Sequence, residues 1–117
     1  MPRKPEAYLL EIASAASYLT KHTHAMSFET YSEDKTLRFA VERNFIIIGE
    51  AMACLRRDFP DVSARFEASP IISFRNFIVH EYWSVDHKEV WSTLRIKVEP
   101  LQNLITGMLR SLGNTDL

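Results

Sequence analysis

The stretch Asp34-Lys35-Thr36-Leu37-Arg38-Phe39-Ala40-Val41-Glu42-Arg43-Asn44-Phe45-Ile46-Ile47-Ile48-Gly49-Glu50-Ala51-Met52-Ala53-Cys54-Leu55 repeats its apolar residues at intervals of three and four. Leu37, Val41, Phe45, Ile48, Met52 and Leu55 fall on one stripe of an α-helix. Asp34 suits the N-cap, and Pro60 stops continuation beyond about Asp58. The pattern predicts the longest helix of the chain, Lys35 to Asp58. Phe39, Ile46 and Ala53 recur every seven residues on another side. A helix that is apolar on two sides is central in its bundle or lies at an interface. Gly49 and Ala51 remove bulk and would let another helix approach closely, and plain packing is the simplest use of the glycine.

Helical periodicity extends both ways from this segment. Upstream, Tyr8, Leu9, Ile12, Ala15, Ala16 and Leu19 form the face of a helix from Pro5 to about Thr20, with His22-Thr23-His24 ending it. Ser27 reads as the cap of a short turn through Phe28 and Tyr31. Downstream, Ser69 is the expected cap and Pro70 the first residue of a helix reaching Tyr82. The segment from Tyr82 to Val85 reads as a break, and Asp86 caps a last helical region. There Trp91, Leu94, Val98, Leu101, Ile105, Met108 and Leu112 recur at alternating spacing. Pro100 is expected to kink or restart that helix, and Gly113-Asn114 to end it. No strand, repeat or low-complexity segment is visible. These patterns predict an all-α antiparallel bundle of four or five helices in one domain, residues 1–117.

Composition narrows the function classes. With a formal net charge of -1 the chain is no polycation, so nucleic-acid contact needs a local patch or one built by association. A single cysteine, Cys54, excludes an intramolecular disulfide framework. Met1-Pro2-Arg3-Lys4-Pro5-Glu6 lacks the apolar core of a signal peptide. No apolar run approaches the roughly 20 residues that a membrane span needs. A soluble, cytoplasmic protein without membrane contact is expected.

Chemistry concentrates in Arg75-Asn76-Phe77-Ile78-Val79-His80-Glu81-Tyr82. Arginine, asparagine and histidine are costly among Phe74, Phe77, Ile78 and Val79 unless they find partners. On a helix turning about 100° per residue, Ile71, Phe74, Ile78 and Tyr82 share a core stripe. Asn76 and His80 are adjacent on the other side. Arg75 lies at the stripe's edge, separated from His80 by a ridge of Ile72 and Val79. A helix crossing that ridge would enclose both polar groups, and a symmetric dimer would bring two copies together. Arg75 suits neutralisation of a phosphate oxygen, and His80 suits acid–base work on a ribose hydroxyl. Asn76 could donate to the phosphate or hold the imidazole, and Tyr82 could hydrogen-bond or stack on a base. The structural alternative pairs Arg75 with Glu50 or Asp86, ties His80 to a carbonyl and buries Tyr82.

Other residues read more plainly. His22, His24 and His87 lack the spacing of a zinc site, and neither metal nor cofactor is expected. Cys54 is a packed thiol. Arg56 and Arg57 meet the negative end of a helix, or extend an RNA track towards the cleft. Glu50, inside an apolar helix, is a candidate ion-pair partner for Arg75. Trp83 and Trp91 pack the bundle or meet a partner.

Arg75, four intervening residues and His80, with polar Asn76 after the arginine, resemble the signature of HEPN domains. Tyr82, two residues after the histidine, makes the chain resemble the HepT-like toxins more closely. Arg43-Asn44-Phe45-Ile46-Ile47-Ile48-Gly49-Glu50-Ala51, Met26-Ser27-Phe28 and His80-Glu81-Tyr82-Trp83-Ser84-Val85-Asp86 with Val90-Trp91 are similar to that family as well. The resemblance implies a HEPN-like bundle acting as a homodimer with the motif at its interface. It implies a metal-independent endoribonuclease, the toxin of a type VII-like toxin–antitoxin pair. Arg75 and His80 would be catalytic, with Asn76 supporting. The 2′-hydroxyl of RNA, such as tRNA or mRNA, would attack the adjacent phosphate. The implied partner is a minimal nucleotidyltransferase antitoxin that transfers AMP to Tyr82, placing a repelling phosphate beside the cleft. The alternative implied by some relatives is a noncatalytic substrate- or nucleotide-binding subunit of a nucleotidyltransferase complex.

Overall fold

Pro5 opens α1, which runs Pro5–Thr23 in the computed structural model, whose described residues are 3–113. The helix continues three residues past the expected end. The Tyr18 and His22 rings meet one turn apart at 4.2 Å, and the buried Thr23 hydroxyl donates to the Leu19 carbonyl at 2.6 Å. The chain then turns through Ala25, at φ 60, into α2, Phe28–Glu33. The Ser27 hydroxyl caps α2 by accepting from the Thr30 amide at 3.1 Å.

Asp34 caps α3, Lys35–Asp58, by accepting from the Leu37 amide at 3.0 Å. Pro60 starts a separate turn, α4, Pro60–Ser63. Next comes α5, Ala68–His80, then a 3-10 turn, Tyr82–Ser84, and α6, His87–Ser111, capped by Asp86 on the Lys88 amide. Six helices result among the described residues, four of them long, and the fold is the all-α bundle that the periodicity predicts.

Three details differ from the sequence expectations. The start of α5 is Ala68, with Glu67 and not Ser69 at the cap position, and Glu67 makes no side-chain capping bond. The Ser69 hydroxyl instead lies 3.5 Å from Arg56 Nη1. Pro70 is the third helical residue, still within the first turn, where an amide hydrogen has no helical partner to lose. Pro100 does not restart α6, which is continuous for 25 residues and so exceeds the 24-residue α3 as the longest helix. Pro100 and the preceding turn's Ile96 are exposed, so water can serve the carbonyl that the proline leaves unbonded. Gly113 closes the helix at φ 85; Asn114, expected beside it, lies outside the described residues.

Helix α3 is the hub, packing chiefly on α5 and α1, while α1 also packs on α6. Leu9, Ile12 and Leu19 interlock with Val41, Met52 and Leu55 and with Val90, Ile105 and Leu109. Full burial of such a side chain is worth about 1.5–3 kcal/mol. Polar ties sit at the periphery. Thr20 lies 2.9 Å from Gln102 Oε1 between α1 and α6, and Tyr8 donates to Asp58 Oδ2 at 3.2 Å between α1 and α3. No helix among the described residues is long and apolar enough to cross a membrane.

Candidate active site

Helix α5 carries the polar cluster and is anchored by its packing on α3. Ile72 and Ile78 are buried, Ile71, Phe74 and Phe77 half-buried, and Phe45 meets Phe74 edge-on at 5.1 Å. That packing fixes the directions of the remaining side chains. Arg75 points at α3 and is half-buried, while Asn76 and His80 are exposed. His80 is the last residue of α5, and the Glu81 amide closes the helix on the Phe77 carbonyl at 2.9 Å.

Arg75 has no counter-charge among the described residues. Among the described residues two ion pairs form, Arg3–Glu11 and Arg57–Asp58, both at 2.8 Å. The expected pairing with Glu50 does not occur, and geometry explains why. Gly49 faces α5, so Glu50, about 100° further round α3, faces solvent. Asp86 is engaged at the start of α6. Arg75 Nε is buried without a hydrogen-bond partner among the described residues. A buried donor left unmade costs about 1–3 kcal/mol.

Tyr82 is not part of the core stripe. The helix stops two residues earlier, and the 3-10 turn, tied by the Ser84 amide to the Glu81 carbonyl at 2.9 Å, carries Tyr82 outward to 73% exposure. Trp83 is 71% exposed and meets Tyr82 edge-on at 5.4 Å. The ridge between Arg75 and His80 is split. Ile72 is buried within the chain, whereas Val79 is 42% exposed. Phe39, on the second apolar side of α3, is also exposed. Arg75 and His80 leave α5 in directions about 140° apart, so one chain holds both groups on one short helix without closing a cleft around them.

A large cavity lies elsewhere. About 750 Å³ opens between α5 and α6, lined by Phe45, Ile71, Phe74, Ile96, Leu101 and Leu104 among others. Phe74 leaves α5 about 160° from Asn76, so this groove is not the pocket of the polar cluster.

One polar group was not singled out from the sequence. Glu42 lies seven residues before Gly49, on the α5-facing side of α3, and burial pushes its carboxyl up, with Arg38 acting against this. Tyr31, fully buried, has its hydroxyl unpartnered among the described residues, and burial followed by the nearby Glu42 charge pushes its ionisation up. Arg38 donates through Nη1 to the Ser32 carbonyl. The sevenfold step from Gly49 was the available signal for Glu42. Cys54 and Trp91 pack as expected, while Arg57, expected at the helix dipole or on an RNA track, pairs with its neighbour Asp58. Cys54 is half-buried against the core, Trp91 packs between Phe28 and Tyr31 at 6.3 and 5.2 Å, and Arg57 holds Asp58. Among the described residues no three His, Cys, Asp or Glu side chains gather as a metal site.

The helix order and the polar cluster on α5 define a class of small all-α proteins, and sequence comparison identifies the family. The family model described as "Ribonuclease HepT-like" matches residues 12–108. The chain belongs to this HepT-like family. It is 30% identical over 102 residues to "Probable ribonuclease HepT" of Thermococcus cleftensis, covering 87% of this chain and 93% of that protein. It is 27% identical over 108 residues to "Putative RNase TTE0752" of Caldanaerobacter subterraneus subsp. tengcongensis, covering 92% and 96%. Against "Putative RNase MJ0125" of Methanocaldococcus jannaschii the identity is 24% over 113 residues, covering 96% and 97%. No solved structure matches the chain.

Proposed function

We propose that this protein is a metal-independent endoribonuclease, the toxin of a toxin–antitoxin pair, working as a homodimer in the cytoplasm. The observation that carries the reading is Arg75, half-buried with no carboxylate partner among the described residues, on the same short helix as the exposed His80. A guanidinium with no carboxylate beside it can receive a phosphate oxygen, and RNA supplies phosphate. The names of the relatives, probable and putative ribonucleases, favour the same substrate.

In this reading the 2′-hydroxyl attacks the adjacent phosphorus. A new P–O bond forms, the bond to the 5′-oxygen breaks, and a 2′,3′-cyclic phosphate remains. One His80 takes the 2′-hydroxyl proton, and the His80 of a second copy returns a proton to the departing 5′-oxygen. Arg75 neutralises charge building on the non-bridging oxygens, with Asn76 donating beside it. Because a single chain leaves the cluster open, the second copy is required to close it. The exposed Val79 gives that copy an apolar footing within the motif, and Phe39 offers a second exposed apolar side chain on α3. A minimal nucleotidyltransferase antitoxin would transfer AMP to Tyr82, whose exposure leaves its hydroxyl accessible. The added phosphate would compete for Arg75 and repel RNA.

The test is cleavage of end-labelled single-stranded RNA and tRNA in EDTA, by parent protein free of AMP and by His80→Ala. The expected outcome is cyclic-phosphate ends from the parent and a loss of about a hundredfold or more in the variant. Absence of cleavage by the parent would instead support the noncatalytic subunit of a nucleotidyltransferase complex.

A further inference from the structure

Gly49 sits inside α3 with ordinary helical backbone, so the conformational freedom of glycine is not being used there. Glycine at such a position destabilises a helix, and its presence needs a reason in space. A Cβ at Gly107 or Gly113 would meet nothing within 4 Å. A Cβ at Gly49 would lie 2.2 Å from Cβ and 2.6 Å from Cγ of Arg75, and 3.5 Å from its Cα. Those are the near, stiff atoms of the side chain. They cannot swing aside as a side-chain tip would: rotation about χ1 leaves Cβ where it is, so α5 itself would have to shift and carry Arg75 with it. The residue nested in the gap is the arginine whose Nε is buried without a partner among the described residues.

We propose that Gly49 is a positioning residue for Arg75. The missing Cβ forms a slot that seats the first bonds of the arginine against α3 and limits its rotamers before RNA arrives. A free arginine side chain loses much conformational freedom when it is fixed on a phosphate. Seating it during folding removes that loss from the chemical step and holds the guanidinium at a set place relative to His80, where small displacements are costly to rate. The catalytic consequence rests on the ribonuclease reading above; the restraint on Arg75 does not.

The experiment therefore has two arms on the full chain. In the first, ¹⁵N spectra follow the Arg75 Nε–H in the parent and in Gly49→Ala. The parent signal should exchange slowly with water and be rigid, unlike that of exposed Arg43. The variant should lose both properties while retaining helical content. In the second, RNA cleavage is measured for the parent and for Gly49→Ala. The value of kcat should fall about a hundredfold in Gly49→Ala, with KM for a short oligonucleotide moving much less. Two results would overturn the proposal: an Arg75 Nε–H as mobile in the parent as that of Arg43, or kcat within about threefold of parent in a folded Gly49→Ala. If Gly49→Ala does not fold, the parent's Nε–H exchange decides alone. If the parent cleaves no RNA, the ribonuclease reading fails and the spectra still decide whether Gly49 seats Arg75.

Discussion

Arg75 shows how a single side chain can be held at the expense of stability. Its stem fills space against Gly49, while its Nε lacks a partner among the described residues and its charge lacks a carboxylate. Replacing the charge with an apolar chain of similar length should relieve the cost and remove the chemistry together. Arg75→Met is therefore expected to gain about 1 kcal/mol in urea unfolding, since an unmade buried hydrogen bond costs that much or more. The same variant should lose cleavage at least about a hundredfold. A variant both inactive and strongly destabilised would mean that Arg75 serves the fold. Tyr82 lies at the opposite extreme of burial. Tyr82→Phe should leave stability within about 0.5 kcal/mol and cleavage nearly intact, while abolishing the proposed AMP transfer by a nucleotidyltransferase. Labelled AMP at the parent level on that variant would exclude Tyr82 as acceptor. The motif residues were legible as a group from residue type and spacing. The environment of Arg75 was not, because an ion pair with Glu50 and a gap at Gly49 place adjacent residues of α3 in competition for one facing direction. Only packing decides which of them meets α5.

At the scale of elements, periodicity and caps located the helices well because α3 and α6 each have a long apolar stripe and an aspartate at the boundary. Errors came where a local rule met a competing one. Ser69 is a good cap by type, but the helix already begins at Ala68. Tyr82 fits the α5 stripe only if the helix is extended past His80, where the backbone has tightened into a 3-10 turn. Pro100 sits at an exposed place where the lost hydrogen bond is answered by water. Pro100→Ala should restore that bond and raise stability by up to about 3 kcal/mol. Thermal melts would show it as a higher Tm; a lower one would mean that Pro100 shapes α6 along the groove facing α5.

For the molecule as a whole, the carboxylates give stability a pH dependence of opposing signs. Glu42 is raised above 4.5 by burial, so the folded chain holds its proton longer than the unfolded chain does. Its contribution is present below 4.5 and is lost as pH rises through the raised value. Asp58 is lowered by the Arg57 hydrogen bonds, so its contribution is present above 3.8 and is lost as pH falls through the lowered value. Glu42→Gln should therefore abolish the decline on the alkaline side of 4.5 and leave the acid limb in place. Urea midpoints measured across mildly acidic to neutral pH would reveal the flattening, and an unchanged slope would place the decline in another group. None of this was visible in composition, because the balance depends on which acidic residue the bundle half-buries.

The two tryptophans also divide the molecule optically. Trp91 is packed beside Tyr31 with the Arg95 guanidinium 4.3 Å above its ring, whereas Trp83 is 71% exposed on the turn beside Tyr82. Emission should therefore resolve into a shielded class and a red-shifted class open to acrylamide. Whatever comes to rest on that turn, a second copy, a nucleotidyltransferase or an AMP group on the neighbouring tyrosine, would report itself through the second class alone. The protein carries its own unlabelled gauge of when the site is free and when it is occupied.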